Sequence, residues 1–129
     1  MGAVGLSFHK RKPMDILFNF STNWNKKLDC TYYSTLRMSD RYAVGQKGLI
    51  TLKNQPRHIG EIIAKNAVKL DSGPSAYLDV LAYLDTGYNW KETLGIIKKM
   101  YTLTETSGKI IYQYIVKNTG ENIPEATLL

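Results

Sequence analysis

One cysteine, Cys30, stands in the 129 residues. It has no partner for an internal disulfide, so a disulfide-stapled fold is excluded and a reducing, cytoplasmic setting is expected. Histidine is nearly as scarce. His9 and His58 stand alone, with no ligand partners at metal spacing, so no metal site is expected. Long apolar runs are also missing. A membrane span needs about 20 consecutive apolar residues, and no stretch approaches that, so no membrane association is expected. No apolar segment of signal-peptide type follows the basic cluster His9–Lys12. A phosphate-cradling glycine loop, a dinucleotide fingerprint and a Ser-His-Asp arrangement are absent, and no cofactor is expected. Acidic residues are the minority: eleven face seventeen basic ones, for a net charge of +6. A positive field favours polyanions, and nucleic acid is the commonest of these.

What is present suits one domain over residues 1–129, with a core from about 14 to 118, a loose N-terminal leader and a C-terminal tail. A hydrophobic fraction of 43% is enough for a soluble core at this length. Met14, Ile16, Phe18 and Phe20 alternate with Asp15, Leu17 and Asn19, which predicts a strand with one apolar face. Ser21 or Thr22 would cap a short helix from Asn23 to Leu28, with Trp24 as its buried anchor and Leu28 on the same face.

Downstream, Gly48, Ile50 and Leu52 form one face of another strand, and Asn54–Arg57 a turn. Ile62, Ala64, Val68 and Leu70 share a face of a long strand, with Glu61, Lys65 and Lys69 opposite. Pro74 is placed for a helix start, Tyr77, Leu78, Leu81 and Leu84 recur at helical spacing, and Gly87 ends that helix. Asn89 and Glu92 form a capping box for a second helix with the stripe Trp90, Leu94, Ile97 and Tyr101. Lys98 and Lys99 fall at its C-terminal end, where the macrodipole favours them. Lys109–Lys117 reads as a central strand, apolar or aromatic on both faces. The pattern predicts an α+β fold with a mixed or antiparallel sheet of about five strands and two or three flanking helices.

The stretch Thr31–Gln46 organises the rest. Its strand puts Tyr32, Ser34, Leu36 and Met38 on one face and Thr31, Tyr33, Thr35 and Arg37 on the other. A row of hydroxyls ending in a guanidinium suits hydrogen bonding to carboxylate, phosphate or a base edge. Arg37 is therefore the first functional candidate, and Tyr33 the better pocket candidate of the two tyrosines.

Ser-Thr-Leu-Arg (34–37), a polar gap and Tyr-Ala-Val-Gly-Gln (42–46) resemble the ASCH group of the PUA-like superfamily. Leu-Asp-Thr-Gly-Tyr (84–88), then a helix ending in Lys-Lys-Met-Tyr101, is similar to a second block of that group. The resemblance implies a small PUA-like mixed β-barrel. It also implies a possible amidohydrolase activity on acetylcytidine, carried by a lysine and a threonine of the central strand and a glutamate before the last helix. The threonine matches Thr35 and the arginine Arg37. The lysine falls on Tyr32 or Thr31, neither of which is lysine, so Lys27 would have to reach in from the short helix. The glutamate falls near Asp85 or Thr86.

The expected function is an RNA- or nucleotide-binding domain with a cleft. Thr35 and Arg37 form its floor, and the Asp85–Tyr88 loop its wall. Asp85 accepts from a base amine, pairs with Arg37, or simply finishes the helix. Tyr88 stacks on a base or sits in the core. Arg41, Lys47, Lys53 and Arg57 form a phosphate-contacting patch, or a scattered solvated surface. The alternatives are a hydrolase of modified nucleosides, using Thr35, Asp85 and Lys27, and a protein-interaction module with an idle pocket.

Overall fold

The computed structural model describes residues 13–73 and 75–128. The leader with its basic cluster His9–Lys12, and Pro74, lie outside the described residues. Five strands form one sheet: β1 (Ile16–Phe20), β2 (Tyr32–Arg37), β3 (Lys47–Leu52), β4 (Gln55–Lys69) and β5 (Ile110–Asn118). Their spatial order is β1-β3-β4-β5-β2. β1 runs parallel to β3, and the other pairs are antiparallel. The sheet curls into a half-barrel with β1 and β2 as its edges. A 3-10 segment (Trp24–Asp29) precedes β2, α1 (Ala76–Thr86) and α2 (Trp90–Met100) precede β5, and one helical turn, α3 (Glu125–Leu128), follows it. The fold is thus α+β with a small mixed barrel, open along one seam. No described helix is long and apolar enough to cross a membrane.

Two apolar clusters lie on the two faces of this sheet. The inner one holds Leu17, Phe18, Phe20, Tyr33, Ile50, Ile62, Tyr114 and Val116. The outer one joins Val68, Leu70 and Ile111 to Leu78, Ala82, Trp90 and Ile97 of the helices. β5 serves both, through Tyr114 and Val116 inside and Ile111 outside, as its two-faced pattern predicts. The Asn89–Glu92 capping box forms, Lys98 and Lys99 occupy the last turn of α2, and Gly87 ends α1 in the left-handed region at φ 84°.

Several local expectations are corrected, most of them by irregularities that alternation does not reveal. Between Ile16 and Phe18 the register of β1 against β3 shifts. Leu17 and Phe18 are therefore both buried, while Ile16 is exposed. A second shift lies between Ile62 and Ala64 of β4. It sends Ile62 to the inner cluster and Val68 and Leu70 to the outer one, and turns Lys65 onto the rings of Tyr112 and Tyr114. The β3–β4 turn is Lys53–Asn54, with φ of 51° and 65°, a two-residue connection with both φ positive. Gln55, Pro56 and Arg57 consequently belong to β4, and Pro56 is tolerated beside the register shift there.

The short helix is also different. Asn25 and Lys26 are left-handed, at φ 54° each, so Trp24 and Leu28 do not share a helical face. Leu28 is the buried anchor and Trp24 is only half-buried. In α1 the buried line is Leu78, Ala82 and Asp85, and Tyr77 and Leu84 are exposed. The tail is tied back. Met14 N donates to Thr127 Oγ1 at 2.8 Å, Thr119 N to Ile59 O at 3.0 Å, and Lys47 pairs with Glu121 at 2.7 Å.

Tyr33 is a core residue that does not line the slot of Thr35 and Arg37, although it is among the lining of a second, larger hollow. Its hydroxyl lies 2.8 Å from His58 Nε2, and both residues are buried. Burial pushes the Tyr33 phenol up. Burial, with Arg57 adding to it, holds His58 below the ordinary 6.5. The unfolded chain then binds a proton where the folded one does not, so stability falls as pH drops below about 6.5 and levels off once the folded pKa is passed. Replacing His58→Gln should make the fall of the urea midpoint between pH 7 and 5.5 shallower. An unchanged slope would assign that dependence to other groups.

Candidate functional site

Strand alternation sends Ser34 and Thr35 to opposite sides of the sheet. Thr35 is buried on the side of Arg37, whose Nε donates to Thr35 Oγ1 at 3.0 Å. The guanidinium then reaches across the seam. Its Nη2 donates to Asn19 O of β1 at 3.2 Å, and its carbon lies 4.8 Å from the ring centres of both Phe18 and Phe20. Where no backbone ladder joins β1 to β2, one side chain does, through one hydrogen bond to Asn19 O and two cation–π contacts, while its bond to Thr35 holds it on its own strand. Burial lowers the Arg37 pKa, yet a guanidinium stays charged in proteins.

On the other side, Ser34 Oγ donates to Asp85 Oδ1 at 3.1 Å, and Lys27 Nζ donates to the same oxygen at 2.8 Å. Both charged side chains are almost wholly buried, at 5% and 6% exposed. The left-handed pair Asn25–Lys26 makes this possible by turning the chain so that Lys27 points inward. A left-handed lysine costs about 1–2 kcal/mol, a strain of the kind that recurs at functional sites. Burial lowers the Lys27 pKa, the attraction of Asp85 opposes this, and Arg37 adds to the lowering. Asp85 thus sits in the last turn of α1, not in the loop after it, and its cation partner is Lys27 rather than Arg37.

Two hollows flank this junction. The smaller, about 80 Å³, is lined by Asn19, Phe20, Thr35, Arg37, Asp85 and Thr86, with Trp24, Met100 and Tyr101 among its other walls. One water needs roughly 10–15 Å³ on this measure, so the slot has room for several waters or one polar group of a ligand. The larger, about 360 Å³, includes Lys27, Ser34, Gln113 and Ile115 in its lining.

The remaining expected residues lie as follows. Tyr88 is 44% exposed and does not line the slot, but its ring packs edge-on against Trp24, which does, at 6.2 Å between centres. Arg41 is exposed and bonded to the Tyr42 hydroxyl. Lys47 is paired with Glu121, and Arg57 with Asp29 at 2.6 Å. Lys53 is exposed at the hairpin tip, at the other end of β3 from Lys47, about 20 Å away at 3.4 Å per residue. These four cations do not converge into one patch. Among the described residues no three His, Cys, Asp or Glu side chains group to hold a metal, and Thr35 Oγ1 has no lysine amine as a partner.

Sequence reasoning passed over Trp24 as a slot residue and over Ser34 and Gln113. The available signal for Gln113 was its position, a polar residue between Ile111 and Ile115 on an otherwise apolar face. No protein-family model, curated protein or solved structure matches the chain.

Removing one member of a buried ion pair leaves a desolvated charge, at a cost of about 3–5 kcal/mol. Asp85→Asn should lose that much in urea unfolding. The double variant Lys27→Met, Asp85→Leu should be less destabilised than Asp85→Asn, because no charge is then stranded.

Proposed function

We propose that this protein binds RNA or a nucleotide-like ligand by taking one phosphate or base-edge oxygen into the slot floored by Arg37 and Thr35. The observation that carries this reading is the state of Arg37. A guanidinium has five N–H groups, and among the described residues the bonds of Arg37 use two of them, to Thr35 Oγ1 and Asn19 O. The others serve an acceptor entering the slot. The charge balance points the same way: Arg37 is the cation of the slot's lining, and the one carboxylate there, Asp85, is already paired with Lys27 behind it. The volume of about 80 Å³ suits one inserted group, so the rest of the ligand lies over the rim, where the half-buried Trp24 ring offers a stacking surface. The ASCH resemblance supports the same reading, since it rests on the strand that carries Thr35 and Arg37.

The second reading, an amidohydrolase of acetylated nucleosides, is favoured by one observation. Lys27 delivers a buried amine to Asp85 from the 3-10 segment, the pair of groups that the resemblance asks for. Against it stands the Thr35 hydroxyl, which is bonded by Arg37 rather than by the amine.

Fluorescence anisotropy with a short single-stranded RNA tests the binding reading. Affinity should fall with rising salt. Arg37→Lys, which keeps the charge but loses the fork, should weaken binding about tenfold, or ~1.4 kcal/mol. Trp24→Ala should weaken it without touching the seam. Binding that ignores both substitutions would overturn the proposal. Turnover of acetylcytidine that disappears in Lys27→Met and Thr35→Val would establish the hydrolase instead.

A further inference from the structure

The larger hollow lies on the far side of the Lys27–Asp85 pair, between the outer faces of β2 and β5, the 3-10 segment and the second half of α1. We propose that it is a separate binding site for an uncharged cyclic amide, whose amide edge pairs with Gln113. This site does not depend on the binding proposed at Arg37.

Four observations on one surface support it. Its volume, about 360 Å³, falls within the roughly 300–1,000 Å³ of small-molecule sites. Gln113 is only 4% exposed, and no side chain or backbone group among the described residues bonds its amide. The sole buried polar side-chain atom without a partner among those residues is Trp90 Nε1. The Gln113 amide is therefore open to the hollow that it lines. A primary carboxamide offers one acceptor and one donor side by side, and another amide edge is an uncharged group that matches both at once.

The charge at this wall is balanced. Lys27 lines the hollow, but Asp85 neutralises it at 2.8 Å. An anion would gain little here, in contrast to the slot beside Arg37. The ammonium keeps further N–H donors, and Ser34 Oγ, which donates to Asp85, keeps acceptor capacity. A ligand carbonyl and a ring N–H would meet these groups. The opposite walls are apolar: Leu81 and Ile115 are half-buried, and Leu84 is 62% exposed. An apolar ring would cover them. The polar groups on one wall exclude a purely aliphatic occupant, because a hydrocarbon would leave them unmet at about 1–3 kcal/mol each.

The single cysteine makes the test direct. Cys30 is exposed and lies on the lining of this hollow, so an occupant slows its alkylation. The experiment follows iodoacetamide labelling of the whole chain with 2-pyridone as probe. N-methyl-2-pyridone, which lacks the donor, and inorganic phosphate serve as controls. Protection of Cys30 that saturates with 2-pyridone is expected. N-methyl-2-pyridone should need at least a tenfold higher concentration, and phosphate should not protect. Gln113→Leu should abolish protection. Leu84→Glu, at an exposed position, places a charge over the apolar wall without disturbing the core, and it should weaken protection at least tenfold. Arg37→Lys should leave protection unchanged, whatever it does to RNA. Absence of 2-pyridone protection, equal protection by the N-methyl compound or by phosphate, or survival of protection in either Gln113→Leu or Leu84→Glu would overturn the proposal.

Discussion

Three elements meet on one carboxylate oxygen. Lys27 brings the 3-10 segment to Asp85 Oδ1, Ser34 brings β2, and Asp85 itself belongs to α1. Taking two charges out of water is expensive, and their attraction offsets that only when the geometry is close and further hydrogen bonds are made. Here the contact is 2.8 Å and the serine hydroxyl adds a second donor. The arrangement therefore acts less as a source of stability than as a constraint on how helix, strand and turn sit together. It also partitions the space around it. Asp85 faces the slot of Arg37, and Lys27 and Ser34 face the larger hollow. Any shift of α1 against β2 alters both at once.

The seam of the half-barrel poses a different physical problem. Edge strands expose unpaired backbone groups and invite pairing with another chain. Arg37 meets part of this need by donating to Asn19 O while its flat face lies against Phe18 and Phe20. Asn19 is held in turn by Thr51 Oγ1 and Asn54 N on its side-chain oxygen. The group that holds the edges together is the same group that lines the slot, so the seam and the shape of the slot depend on one side chain.

Much of this was legible from local chemistry. The Asn89–Glu92 box, Gly87 and the two-faced pattern of β5 each depend on a few neighbouring residues, and each formed as read. The insertions in β1 and β4 were not legible, because a strand with one extra residue still alternates on either side of it. Left-handed Lys26 was hidden for another reason: Asn25 tolerates a positive φ, but lysine is no marker of it, so only half of the pair that turns Lys27 inward has a local signature. For Asp85, the chain showed a carboxylate near the right place but could not choose between Lys27 and Arg37, since that choice is made by tertiary packing. Tyr33 followed the alternation faithfully, yet the face it shares with Thr35 is filled by Phe20 and His58 at its own level. The face opens only further along the strand.

The ladder order has a consequence for synthesis. β2, which carries Ser34, Thr35 and Arg37, has β5 as its neighbour in the sheet, and that strand comes from the far end of the sequence. While the polypeptide emerges from the ribosome, β1, β3 and β4 can associate early, but β2 has to wait. The strand that carries Ser34, Thr35 and Arg37 is thus the last of the five to be locked, and the slot and the larger hollow take shape only after β5 has left the ribosome.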